Sequence, residues 1–363
     1  MIFKRRFQIL TFVWLVLAAN MASASIPLPI LEYLFNEEGV FVSSTGSDKT
    51  HLRFQSREGL VDLHSQGGMG VSGSLGDYCF DNTFWEPGSG NNGVATHEKA
   101  NSEIEELRSC TWQGWFKSDA LLRPGARLFE KGSYILCGWN GSLQLLLSGT
   151  AVTSGREYMM TDEWVYFAVT YDNFLDQENV KFYVGSKDKP VKLVSVHTLN
   201  KPMSTNALSL RVGAWGLGTA PVRGYLDNIR LFGSKENSSG VLTLKELEAV
   251  RIADTLMIPE PKLCKVTTYP TACPAGLENK VSINVMVLDS FSTPLEGIEV
   301  SIKKIAGDLS FTGLTAKTDI EGNASFSLSS LEAGKLILEV SISPGHGLTP
   351  ITLFDKRIQI EFI

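Results

Sequence analysis

Glu103 and Glu105 are the carboxylates best spaced for paired acid–base chemistry. On a strand, residues i and i+2 share a face about 6.5–7 Å apart. A retaining glycosidase holds its two carboxyls about 5.5 Å apart across a cleft. The sequence around the pair also reads as a solvated strand or loop. His51, His64, His97, His197 and His346 are scattered, with no HxH or HExxH spacing. No GxSxG elbow offers a serine nucleophile. Gly68-Met69-Gly70-Val71-Ser72-Gly73 fits GxGxxG. The SLGDYCFD that follows reads as turn and strand, whereas a dinucleotide loop must open a helix. Neither enzymatic hydrolysis nor nucleotide binding therefore gains support from spacing.

The tryptophans are more informative. Trp112, Trp115 and Trp164 lie inside apolar runs and read as core. Trp85, Trp139 and Trp215 stand beside Gly, Asn and Pro in TFWEPGSG, CGWNGS and GAWGLGTAP. A loop-borne ring can stack on the apolar face of a sugar while a neighbouring amide such as Asn140 bonds the hydroxyls. The same residues would also serve to cap the ends of a sandwich.

The chain has 363 residues with a net charge of −6, and 43% of its residues are hydrophobic. This length suggests two domains, each with its own core. The acidic balance argues against nucleic acid as a partner, because binding a polyanion needs a basic surplus. Lys4, Arg5 and Arg6, the apolar run Ile9 to Ala19 and Ala22-Ser23-Ala24 have the layout of a signal peptide over 1–24. Nothing later is long and apolar enough to span a membrane as a helix. The expectation is thus a secreted, extracellular or periplasmic protein associated with the cell surface.

In an oxidising compartment cysteines pair. Cys264 and Cys273 are expected to form a disulfide across KVTTYPTA. Cys79, Cys110 and Cys137 allow at most one further intrachain pair, with Cys110–Cys137 preferred because both lie in expected strands.

The elements that must position these residues are mostly strands. Runs such as CTWQGWF, YILCGW, SLQLLL, WVYFAVTY and YLDNIRLF follow one another at short spacing, separated by turn residues such as Asn140-Gly141. They indicate an antiparallel sandwich over 25–256. Thr243-Leu244-Lys245-Glu246 is a capping box, and Leu244, Leu247, Val250 and Arg251 follow at helical spacing, so one closing helix is expected. Pro259, Pro261, Pro270 and Pro274 read as a stapled linker over 257–279. Alternating runs over 280–363 make a smaller, seven-stranded sandwich.

Three segments carry a resemblance. They are Tyr33-Leu34-Phe35-Asn36-Glu37-Glu38-Gly39, the hairpin Glu163 to Asp172 with Val180 to Gly185, and Gly224 to Phe232 followed by the capped helix. In this order they resemble the laminin-G-like, concanavalin A-like jelly rolls of secreted bacterial proteins. Thr318 to Phe326 with Ala333-Gly334 is similar to the immunoglobulin-like domains of invasin type. The fold class implied is all-β: a jelly-roll sandwich with one closing helix, then an immunoglobulin-like sandwich. Glycosidases on this jelly roll carry an E-x-D-x-E-type signature, which Glu103-Ile104-Glu105-Glu106 lacks. The resemblance requires no cofactor but implies a structural calcium near the first and last strands, with Asp227 and Glu37 as ligands. Asn36 and Ser43 replace two further carboxylates of that pattern. The implied role is non-catalytic adhesion to a glycan or an extracellular protein. The alternatives are a structural spacer without ligand and a glycan-cleaving enzyme.

Overall fold

The structure is a computed structural model. It describes residues 26–363 apart from 75, 85–92, 98–101, 119–123, 133, 159–161, 204–207, 218, 257, 290–291, 345–349 and 354. The leader and Trp85 lie outside the described residues. No described helix is long and apolar enough to cross a membrane.

The fold is all-β, as the alternating runs require. The first unit opens with β1 (Leu31–Tyr33), β2 (Phe41–Val42), β3 (Leu52–Gln55), β4 (Phe80–Asp81) and β5 (Val94–His97). It continues with β6 (Ser109–Lys117), β7 (Arg127–Lys131), β8 (Tyr134–Trp139), β9 (Ser142–Leu147) and β10 (Thr150–Thr153). It ends with β11 (Val165–Asp172), β12 (Val180–Ser186), β13 (Lys192–His197), β14 (Arg211–Val212) and β15 (Tyr225–Ser234). One sheet runs β1-β15-β6-β11-β12-β13, with β4 also on β15. The facing sheet runs β10-β9-β8-β7-β14-β5-β3-β2. Between them lies a core of Phe54, Phe80, Trp112, Phe129, Leu145 and Phe167, all essentially without solvent exposure.

The helix α1 (Leu244–Thr255) follows β15, and both halves of its capping box are formed. It packs on the outer face of the first sheet, where Leu247 and Val250 meet Trp115 and Tyr166 in a second apolar cluster. The buried stripe is Leu247, Val250, Arg251 and Asp254. Leu244, expected on that stripe, is exposed because it starts the first turn, beyond the sheet's cover. The helix docks through charge as well. Arg230 donates to both Asp254 oxygens (2.9 and 2.7 Å), and Trp115 Nε1 donates to Asp254 Oδ2 at 2.8 Å.

The second unit begins earlier than its sequence suggests. β16 (Lys265–Tyr269), β17 (Ala272–Cys273) and the start of β18 (Gly276–Met286) occupy the supposed linker. They are followed by β19 (Glu299–Gly307), β20 (Leu314–Lys317), β21 (Asn323–Ser330), β22 (Gly334–Ser343), β23 (Ile351–Thr352) and β24 (Ile358–Phe362). The sheets β16-β18-β21 and β17-β24-β22-β19-β20, with β23 on β22, enclose a separate core. The linker over 257–279 is therefore corrected. Its prolines sit at strand ends and turns, where no ladder amide is needed. Among the described residues β18 to β24 supply the seven strands expected over 280–363, and β16 and β17 precede them.

All five cysteines are free and buried. Cys110 and Cys137 cannot pair as expected. Cys110 points into the core, with its Sγ near the Tyr134 hydroxyl, whereas Cys137 is on the opposite face of β8, beside Gln144. Cys264 and Cys273 both belong to the second core rather than to a linker, and their expected bridge is not formed in this structure. Burial pushes the Cys110 thiol up to about 12 and raises Cys79, Cys137 and Cys264, so these four thiols are poor nucleophiles.

Candidate functional site

Trp139 owes its position to a two-residue turn. Asn140 and Gly141 both have positive φ (52° and 82°), the conformation that closes β8 onto β9 with the twist of a sheet. Along β8, Tyr134 and Leu136 enter the core. Alternation sends Ile135, Cys137 and Trp139 to the outer face of the sheet. Trp139 is 42% exposed at the hairpin end. The structure thus places Trp139 and Asn140 side by side on a tip, as the sequence implies.

Trp215 reaches the same end by another route. Gly213 turns the chain out of β14 at φ 83°, where any Cβ would collide with the Phe80 ring. A short loop then closes through Trp215 N to Thr219 O (3.2 Å) and Val222 N to Gly213 O (2.8 Å). Trp215 is 48% exposed. Arg211 Nη1 donates to the Trp215 carbonyl at 2.6 Å and holds the loop from the sheet side.

A single segment, Gly125–Arg127, joins the two loops. It exchanges backbone bonds with Gly138 (Gly125 N to Gly138 O 3.0 Å, Gly138 N to Ala126 O 2.8 Å) and bonds Ala220 through Arg127 N at 2.9 Å. The loops that carry Trp139 and Trp215 are therefore both tied to one stretch of chain. The Arg127 side chain bridges Gly125 O and Glu130 Oε2 at 2.7 and 2.8 Å. The result is a rim of two exposed indoles, an amide and ordered charged groups, the composition a sugar site uses. Sequence reading missed Arg127, Glu130 and Arg211. Strand alternation places Glu130 and Arg211 outward, the irregularity between Arg127 and Phe129 lets Arg127 share that face, and their adjacency follows from register.

The other sequence candidates fall elsewhere. Glu103 lies in a 3-10 turn, Ser102–Ile104, and not on a strand. Glu105 is paired with Lys131 Nζ at 3.0 Å. The two form no facing carboxylate pair. Glu37 is exposed and accepts from Ser43 N at 3.3 Å. Asp227 is fully buried, and its two oxygens accept from Val71 N (2.8 Å) and Asn228 N (2.7 Å). Calcium needs several free oxygen ligands. Each Asp227 oxygen accepts one amide and keeps a further lone pair, and no group of three or more His, Cys, Asp or Glu that could hold a metal ion occurs among the described residues. Glu37 lies at the surface and Asp227 in the interior.

The glycine-rich GxGxxG stretch has a different use. Its amides hold this chain's own carboxylates: Val71 N meets Asp227, and Ser72 N and Oγ meet Asp77 Oδ2 at 2.6 and 2.7 Å. A Cβ on Gly70 would overlap the Asp77 carboxylate, so only glycine lets the loop close on it. From the same loop Ser74 Oγ donates to Asp289 Oδ2 of the second unit at 2.5 Å. Near this joint a cleft of about 470 Å³ is lined by Thr255, Leu256, Leu295, Glu296, Lys317 and Pro344.

Burial raises Asp227 well above the usual carboxylate range, with Asp77 nearby adding to it, and burial also raises Asp77. A carboxyl that binds its proton more tightly when folded stabilises the fold as pH drops. The first unit should therefore gain stability as pH falls from 7 to 5. Below the ordinary carboxylate range the sign reverses. Glu32, held low by Arg230 and Thr45 against its own burial, and Asp62, held low by His64 and Gly39, then lose their contribution. Urea titrations at stepped pH read this directly, and a flat or falling stability between pH 7 and 5 would contradict it.

No family model matches the chain, and no curated protein matches it. Among solved structures it is similar to domain 4 of AbnA, a GH43 extracellular arabinanase from Geobacillus stearothermophilus, in complex with arabinotriose. That likeness has 15% identity and a TM-score of 0.41, over 61% of this chain and 98% of that one. It is similar to the binding domain of botulinum neurotoxin DC, seen with rat synaptotagmin II, at 10% identity and a TM-score of 0.43 over 89% and 73%. A third likeness is to the D0–D1 domain of intimin, at 13% and 0.23 over 74% and 89%. At such scores the functional reading rests on this chain's own residues.

Proposed function

We propose that the chain is a secreted, non-catalytic binding protein whose laminin-G-like first unit recognises a glycan at the rim formed by Trp139, Asn140 and Trp215. One observation carries this reading. The loops that carry the two exposed tryptophans both bond one segment, Gly125–Arg127. Rings that merely capped the sandwich would be buried against it. The carboxylate on this rim, Glu130, is neutralised by Arg127 and is placed to fix a guanidinium rather than to move a proton.

Trp139→Ala and Trp215→Ala should each weaken glycan binding about fivefold, the effect of losing one stacking contact of about 1 kcal/mol. Each should leave the melting temperature within about 2 °C, because neither ring is core. Calorimetric titration against a glycan panel, with parallel thermal melts, measures both. A large fall in melting temperature for Trp139→Ala with binding untouched would make the residue a cap and end this assignment.

A further inference from the structure

The outer face of the second sheet carries an ordered row of side chains that extends beyond the tryptophan rim. Register aligns Arg53 with Thr96, Thr96 with Arg211, Arg211 with Glu130 and Glu130 with Ile135. Residues directly opposite in antiparallel pairs share a face. Phe54, Ala95, Val212 and Phe129, their neighbours in sequence, all enter the core, so the row faces outward.

Its charge is unbalanced. Arg127 and Glu130 neutralise each other at 2.8 Å. Arg53 and Arg211 remain, two strands apart, or about 10 Å at the backbone. Arg211 spends one of its five N–H donors on the Trp215 carbonyl. Arg53 Nε is buried and makes no hydrogen bond among the described residues. Guanidinium forks match planar, two-oxygen anions, and they stay charged at any physiological pH. The chain as a whole is acidic, at −6, so a local surplus of two guanidiniums on one face stands out.

We infer that this face binds an acidic glycan, with Arg53 and Arg211 flanking Thr96 to receive the carboxylate or sulfate groups of the sugar. The inference rests on the glycan reading above and extends it from the rim to the class of ligand. Trp139 lies four residues beyond Ile135 on β8 and Trp215 four beyond Arg211, so a sugar chain would run obliquely from the indoles at the strand ends to the guanidinium pair on the row. Arg211 has a dual part, because it also fixes the Trp215 loop. Arg53 is on β3, whose strand neighbours are β2 and β5, and isolates the charge effect.

The test titrates the full chain with an oligogalacturonate, a chondroitin-sulfate oligosaccharide and a neutral xylo-oligosaccharide, at low and high salt. At least one acidic oligosaccharide is expected to bind tenfold or more tighter than the neutral one at low salt, and to lose that advantage as salt rises. The acidic arm that responds identifies carboxylate or sulfate as the group read. Arg53→Gln should weaken the acidic arm about tenfold and leave the neutral arm unchanged, while Arg53→Lys should recover part of the loss. Equal affinity for acidic and neutral sugars, or an acidic arm indifferent to Arg53→Gln, overturns this inference and leaves the rim reading intact. If no oligosaccharide responds to Trp139→Ala, the rim reading falls and the inference falls with it.

Discussion

Arg230→Met is expected to destabilise the first unit by about 3–5 kcal/mol, the cost of removing one partner from a buried ion pair. Arg230 lies on β15, 8% exposed, and donates through Nε to Glu32 at 2.5 Å and through both terminal nitrogens to Asp254. Burial opposes its charge, but Asp254 and Glu32 outweigh that penalty and hold the guanidinium protonated. Without it, Asp254 keeps only the Trp115 indole bond and stands as an uncompensated charge beneath the helix. For a unit of this size the melting temperature should fall by about 10 °C. The loss should appear as undocking of α1, seen in the near-ultraviolet signal of Trp115. A companion variant separates charge from packing. Adding Asp254→Leu to Arg230→Met should restore much of the stability, because an apolar contact replaces two stranded groups. A single variant that melts within 3 °C of the parent would show that the pair does not hold the helix.

Trp112→Ala should have an effect of the same size, about 3–5 kcal/mol, through packing alone. Trp112 sits in the middle of β6 at 1% exposure and stacks on Phe129 of the facing sheet at 3.9 Å between ring centroids, with Tyr134 at 5.6 Å. It is a principal contact between the two sheets. Its Nε1 is buried and makes no hydrogen bond among the described residues. Trp112→Phe therefore removes an unpaired donor while shrinking the ring, and the two effects offset to a net cost of about 1–2 kcal/mol. Trp164 is different: 8% exposed on the outer face, tilted against Tyr225 at 6.4 Å. Trp164→Ala belongs at or below the bottom of the 3–5 kcal/mol range. Urea denaturation ranks the three, and Trp164→Ala proving more damaging than Trp112→Ala would reverse the assignment of the main core.

The elements legible in the sequence were those written in local chemistry. The β11 run VYFAVTYD is buried throughout, the capping box at Thr243 forms as spelled, and Asn140-Gly141 turns as such pairs do. These signals need only neighbours along the chain. Three features failed for a shared reason. The strand residues at 265–279 were hidden because much of each strand faces solvent and prolines punctuate them, so polar composition mimicked a linker. Cys110 and Cys137 looked alike as strand residues, but the face each presents depends on the phase of its own strand. The Arg53–Thr96–Arg211 row brings together three residues far apart in sequence, and pairing register cannot be read from any one of them. Of the candidate site, the indoles were legible by their turn contexts, and the guanidiniums between them were not.

The pairing of β1 with β15 also bears on how the molecule forms. Leu31 lies opposite Leu231, and β15 in turn separates β1 from β6. The first sheet cannot seal until a strand some 200 residues downstream arrives between two early ones. Closing such a loop is entropically costly and slows folding. A growing chain would hold β1 and β6 unjoined until residues near 234 are free. The second unit draws its strands from 265–362 alone and closes over shorter separations. In refolding from denaturant it should acquire its native contacts first, leaving the larger sandwich as the slow kinetic phase.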